Sequence, residues 1–60
     1  MTPAQQVYNQ IAYMVRITSG EIASNLRWSR DAVHQAIHEL LQENAIDIEM
    51  YAGARYYTVT

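Results

Sequence analysis

The sequence predicts an α+β domain of three helices followed by a β-hairpin, and three observations predict it. Apolar residues recur at helical spacing in three stretches, each preceded by a residue able to cap a helix. After Asn44 the period falls to two, with Ile46, Ile48 and Met50 alternating with Asp47 and Glu49. The 60 residues, half of them hydrophobic, suffice for one small core. Residues 1–60 are therefore expected to form a single domain.

The first helix is expected from Pro3 to Val15 or Arg16. Thr2 can cap it, Pro3 suits its first position, and Gln5 stands where a capping box places Glu or Gln. Val7, Ile11, Met14 and Val15 mark its buried face, bordered by Tyr8, while Tyr13 points away. Ile17 and Thr18, both β-branched, sit in a short break that could supply a small first strand. Thr18 and Glu21 then form a second capping box for a helix over Ser19–Leu26, with Ile22, Ala23 and Leu26 inward. Arg27-Trp28 is a tight turn. Ser29 caps a third helix, Asp31 in its first turn favours the dipole, and Val33, Ile37, Leu40 and Leu41 form the buried stripe beside Ala36. Asn44 suits a left-handed termination.

In the hairpin, Ile46, Ile48 and Met50 define the half-buried face of its first strand. Tyr51-Ala52-Gly53-Ala54 is the turn, with Gly53 at positive φ. Arg55 to Thr60 is the second strand, Tyr57 and Val59 on one face, Tyr56 and Thr58 on the other. The expected core is Ile11, Ile22, Leu26, Val33, Ile37, Leu40 and Ile46, with Trp28, Met14 and Met50 as further filler.

Composition excludes several classes. There is no cysteine, hence no disulfide framework and no thiolate site, and a cytoplasmic location is the default. No apolar run approaches the length of a membrane span. No phosphate loop, metal cluster or triad spacing is present, so neither an enzyme, a cofactor nor a small-molecule substrate is expected. The net charge of −2 conceals a gradient. Residues 1–38 carry Arg16, Arg27 and Arg30 against Glu21 and Asp31; residues 39–60 carry Arg55 against Glu39, Glu43, Asp47 and Glu49. Every fixed cation is an arginine, the residue suited to bidentate recognition.

The run Ile17-Thr18-Ser19-Gly20-Glu21-Ile22-Ala23-Ser24-Asn25-Leu26-Arg27-Trp28-Ser29-Arg30-Asp31-Ala32-Val33 resembles the helix-turn-helix of bacterial winged-helix regulators. That family commonly reads Leu-Thr, a small residue, an acidic residue with Ile-Ala, Leu-Gly-apolar-Ser, two variable residues, a small one and Val. The likeness extends over 17–60, since Ile37, Leu40, Leu41 and Ile46 stand at later core positions. Small phage, plasmid and fimbrial-type regulators are of similar length. Two departures are specific: Arg27 and Asn44 each replace a glycine. A side chain at Arg27 costs on the order of 1 kcal/mol if the turn keeps positive φ. Either the turn differs, or Arg27 is kept for what its side chain does.

The resemblance implies a DNA-binding domain of a small bacterial or phage transcriptional regulator, with the third helix in the major groove and the hairpin as the wing. On the outward side of that helix stand Arg30, Asp31, His34, Gln35 and His38, groups able to reach base edges, although any surface helix is polar outside. Ser29 and Arg27 would anchor phosphates, and Arg55 would reach backbone or minor groove from the wing, or else pair with Glu49. His34 and His38 have the spacing of a metal pair but no evident third ligand; their imidazoles also suit contact with phosphate. Tyr13, Tyr51 and Tyr56 look too exposed for a monomer, and Tyr13 and Tyr56 are the candidate interface of a homodimer or larger assembly. The alternative is a winged-helix protein-interaction module that uses the acidic C-terminal half and the tyrosines. Net acidity favours that alternative; the placement of the arginines and the Ser29 cap favour double-stranded DNA.

Overall fold

Local chemistry starts each helix in the computed structural model, which describes residues 1–60. Helix α1 spans Pro3–Met14; the Thr2 hydroxyl accepts from the Gln5 N–H at 3.1 Å. The Gln5 side chain reaches Asn9 instead of returning to the cap, so only half of that capping box forms. Helix α2 spans Ser19–Leu26 with its box complete: Thr18 accepts from the Glu21 N–H, and the Glu21 carboxylate accepts from the Thr18 N–H. Helix α3 spans Arg30–Gln42, and Ser29 Oγ accepts from the Ala32 N–H at 3.2 Å.

Helices α2 and α3 end by the same device. Arg27 adopts φ 58° and ψ 42°, and the Trp28 N–H donates to Ala23 O at 3.0 Å. Asn44 adopts φ 58°, with the Asn44 N–H on Leu41 O and the Ala45 N–H on Leu40 O. These six-to-one bonds, closed over a left-handed residue, define Schellman endings, which glycine usually supplies. The turn after α2 therefore keeps the geometry that glycine favours, and Arg27 bears its strain.

Strand β1 is Arg16–Ile17, one residue earlier than the expected Ile17-Thr18, because Thr18 serves as the α2 cap. Strands β2 (Ile46–Tyr51) and β3 (Ala54–Val59) form the hairpin, and the antiparallel sheet runs β1-β3-β2. Ala52 and Gly53 both have positive φ, the signature of a two-residue type I′ turn, so Ala52 shares a conformation expected only of Gly53.

Eleven buried residues form the core: Val7, Ile11, Ile17, Ile22, Ala23, Val33, Ala36, Ile37, Leu40, Ile46 and Tyr57. Leu26, Trp28 and Leu41 pack against it while partly buried. Four residues expected on buried faces are exposed. Val15 is 73% exposed at φ 71°, and Met14 is exposed, because the helix stops at Met14 and the chain reverses there into β1. Ile48 and Met50 are 45% and 63% exposed. They lie on the inward face as alternation requires, but β1 pairs only with Tyr57 and Thr58. Met50 lies toward the turn from that pairing, where the hairpin is a two-stranded ribbon, whereas Ile48, opposite Tyr57, is open because β2 is the edge strand farthest from β1.

Candidate nucleic-acid interface

The exposed side of α3 divides into two flanks. Arg30 opens the first. Its side chain folds back over α2, so that Nη2 lies 3.0 Å from the point a Cβ on Gly20 would occupy. His34, one turn on, brings Nε2 to 3.2 Å from Ser19 Oγ, again in the first turn of α2. His38 follows on the same flank. With His34, Ile37, Leu41, Tyr57 and Arg55 it lines a shallow groove between α3 and the wing. Helical spacing and the hairpin register thus bring His34, His38 and Arg55 together from elements distant in sequence.

Gln35 belongs to the other flank. It lines a cleft against the start of α1 with Thr2, Pro3, Ala32, Glu39 and Glu43. The sequence placed Gln35 outward with Asp31 and His38, flanked by Arg30 and His34; the fold sets it beside Glu39 and Glu43. Asp31 is exposed in the first turn of α3, where the helix dipole favours an acid. Arg27 is exposed at the turn between the two helices.

The single salt bridge of the chain joins Arg16 to Glu49 at 2.9 Å. Arg27, Arg30 and Arg55 therefore have no carboxylate partner. Pairing of Arg55 with Glu49 fails on register: β3 sets Arg55 opposite Met50 and Tyr56 opposite Glu49, so alternation points Arg55 and Glu49 to opposite faces. No group of three His, Asp or Glu side chains stands close enough to hold a metal ion.

Of the two tyrosines assigned to a protein contact, Tyr13 is 83% exposed on α1. Tyr56 is half-buried: its ring centroid is 6.5 Å from that of Tyr51 in an edge-on arrangement, and the Arg16 guanidinium lies 5.4 Å from it. The sequence reading missed Ser19 and Gly20 as supports of His34 and Arg30. The signal available was Gly20 itself, a glycine inside an expected helix where alanine is the better helix former.

Two helices joined by a tight turn, the second capped by serine and followed by a hairpin on a three-stranded sheet, make this chain a winged helix-turn-helix. Reduced HlyU from Vibrio cholerae N16961 has the same fold: it matches the whole chain with a TM-score of 0.86 at 20% identity, over 62% of its own length. A second structure of HlyU from Vibrio cholerae N16961 matches 85% of this chain with a TM-score of 0.71 at 26% identity, over 59% of its own length. The chain thus spans about three-fifths of the HlyU chains it matches. No family model and no curated protein matches the sequence.

Proposed function

We propose that the chain is a sequence-specific double-stranded DNA-binding module of a small transcriptional regulator, and a binding module as opposed to an enzyme. One observation carries the reading. Three guanidiniums without carboxylate partners, Arg27, Arg30 and Arg55, lie with His34 and His38 on the turn, α3 and wing, whereas Arg16, on the sheet's outer face, is held by Glu49. Four arginines are too few for tight nonspecific attraction, so their placement must do the selecting. The winged-helix fold shared with HlyU is compatible with the same reading.

In this reading α3 enters the major groove. Arg30 suits guanine, Gln35 adenine and Asp31 the cytosine amino group, with His34 and His38 beside them. Ser29 and Arg27 meet phosphates at the start of α3, and Arg55 reaches backbone or minor groove from the wing. Such a module works where DNA is, in the cytoplasm of a bacterial cell. One module covers one short half-site, so a homodimer or larger assembly would raise affinity through effective concentration. Tyr13 is the residue best placed for that contact; Tyr56 contributes only the part of its ring not covered by Arg16 and Tyr51.

The test is a salt-titrated selection from a random duplex library. Enrichment of a defined site supports the reading. No binding even at low salt would turn the assignment to a protein-interaction module, the reading that the exposed Tyr13, Met14 and Val15 favour. Sedimentation with and without duplex tests the dimer: a monomer in both states excludes it, and a dimer lost on Tyr13→Glu places the contact on α1.

A further inference from the structure

We propose that Gly20 is a positioning residue for DNA recognition, its missing side chain setting where the Arg30 guanidinium lies; the proposal rests on the DNA-binding reading above. Gly20 is the second residue of α2, inside its first turn. Its backbone does not call for glycine, since Gly53 is the one glycine with positive φ. Nor does the helix gain from it, because glycine in a helix is about 0.5–1 kcal/mol less favourable than alanine. The capping box already secures this end of α2.

What a Cβ at Gly20 would meet is one group only. Arg30 Nη2 lies 3.0 Å from that point and Arg30 Cζ 3.8 Å, and no other atom outside the helix's own neighbourhood comes within 4 Å. Charge does not hold the guanidinium there. Glu21 is engaged with Thr18, and Arg30 has no salt bridge. The N-terminus of α2 presents the positive end of its dipole, which opposes a cation. Shape is left as the cause: the guanidinium rests over Gly20 because the surface there is bare.

A methyl group at Gly20 would displace Nη2 by a few tenths of an ångström or more. The moving atom is the end of a flexible side chain, so the fold accommodates the change easily. Bidentate recognition of guanine does not, because two parallel hydrogen bonds need the guanidinium plane in register with the base edge. Gly20→Ala should therefore separate stability from recognition. The melting temperature holds or rises, while the preference for the selected duplex over random duplex falls about fivefold or more, part of the discrimination a whole arginine–guanine contact supplies.

The experiment uses Gly20→Ala, Arg30→Ala and the double variant, each melted and each titrated with selected and random duplex. A nuclear Overhauser contact between Gly20 Hα and the Arg30 side chain is measured in the free unsubstituted chain. The expected result is that contact, an unchanged or higher melting temperature for Gly20→Ala, a loss of preference, and no further loss when Gly20→Ala is added to Arg30→Ala. An unchanged preference overturns the proposal, as does an equal effect of Gly20→Ala in the Arg30→Ala background. A large fall in melting temperature also overturns it, by showing that the glycine serves packing. Absence of the Overhauser contact refutes the geometry whatever the duplexes do. The contact present with no duplex bound by the unsubstituted chain defeats the DNA reading, and the role of Gly20 with it.

Discussion

Arg16 on β1 and Glu49 on β2 meet at 2.9 Å although β3 lies between their strands. The contact crosses the outer face of the sheet, and the same guanidinium lies 5.0 Å from the Tyr51 ring centroid and 5.4 Å from that of Tyr56. Arg16 thus straps β1 to the wing strand β2, joining residues 33 apart in sequence. It also withdraws one of four arginines from any contact with a partner. The strap accounts for half-buried Tyr56, which alternation alone had placed on an open face.

Arg16→Ala should destabilise the fold more than Glu49→Gln. Both side chains of the pair are about half exposed, at 46% and 50%, so the ion pair is worth roughly 0.2–1 kcal/mol and less in high salt. Loss of Arg16 also removes two cation–π contacts of about 0.5–1 kcal/mol each. Urea midpoints in low and high salt would check this: only a salt-independent part should survive for Arg16→Ala. Duplex affinity should be unchanged by either substitution, and a large fall would place Arg16 in the interface.

Ile37 and Ile48 are both isoleucines on inward faces, but they should respond very differently to truncation. Ile37 is 3% exposed within the core, and Ile37→Ala should cost about 2–5 kcal/mol, most of the stability of so small a domain. Ile48, opposite Tyr57 on the edge strand, is 45% exposed, and Ile48→Ala should change stability by roughly 0.5 kcal/mol. Comparable losses in denaturant titrations would mean that the wing folds down onto the core.

That contrast shows where the sequence was legible. Caps are local: Thr2, Thr18 and Ser29 announce helix starts because a hydroxyl must satisfy an amide two or three residues away. Asn44 was readable for the same reason, its positive φ being a property of one residue. Alternation in Ile46, Ile48 and Met50 reports which face points inward, not whether anything covers that face, and only Ile46 is covered. Val15 continued an apolar stripe beyond the point where the chain turns into β1. At the candidate site, the outward positions of α3 followed from helical angle. The folding of Arg30 and His34 onto α2, and of Gln35 toward Glu39 and Glu43, depends on how helices pack and is invisible to spacing.

Arg30 and Arg55 should fail in different ways on duplexes. Arg30→Ala should cost about 1–3 kcal/mol on the selected site and little on random DNA, as expected of a base contact. Gln35→Ala should do the same only if α3 lies deep enough in the groove to bring its second flank to a base. Arg55→Ala should weaken all duplexes alike and lower the slope of log K against log salt by about one. Equal losses on both duplex classes would reduce Arg30 to a backbone contact; a site-specific loss for Arg55 would instead move it to a base edge.

Arg27 offers the sharpest separation of fold from function. It holds φ 58° and ψ 42° at a Schellman ending, where a side chain costs on the order of 1 kcal/mol and glycine almost nothing. Arg27→Gly should therefore raise the melting temperature, by about 4–8 °C if the full strain is released in a domain this small. Its duplex affinity should fall, with a salt slope lower by about one, since a phosphate contact has gone. Arg27→Ala is the necessary companion, because it removes the guanidinium and keeps the strain. It should lose the same affinity without gaining stability. Calorimetry and salt-titrated binding on the two variants settle why arginine stands there: if both bind as tightly as the unsubstituted chain, the strained guanidinium has no part in holding DNA.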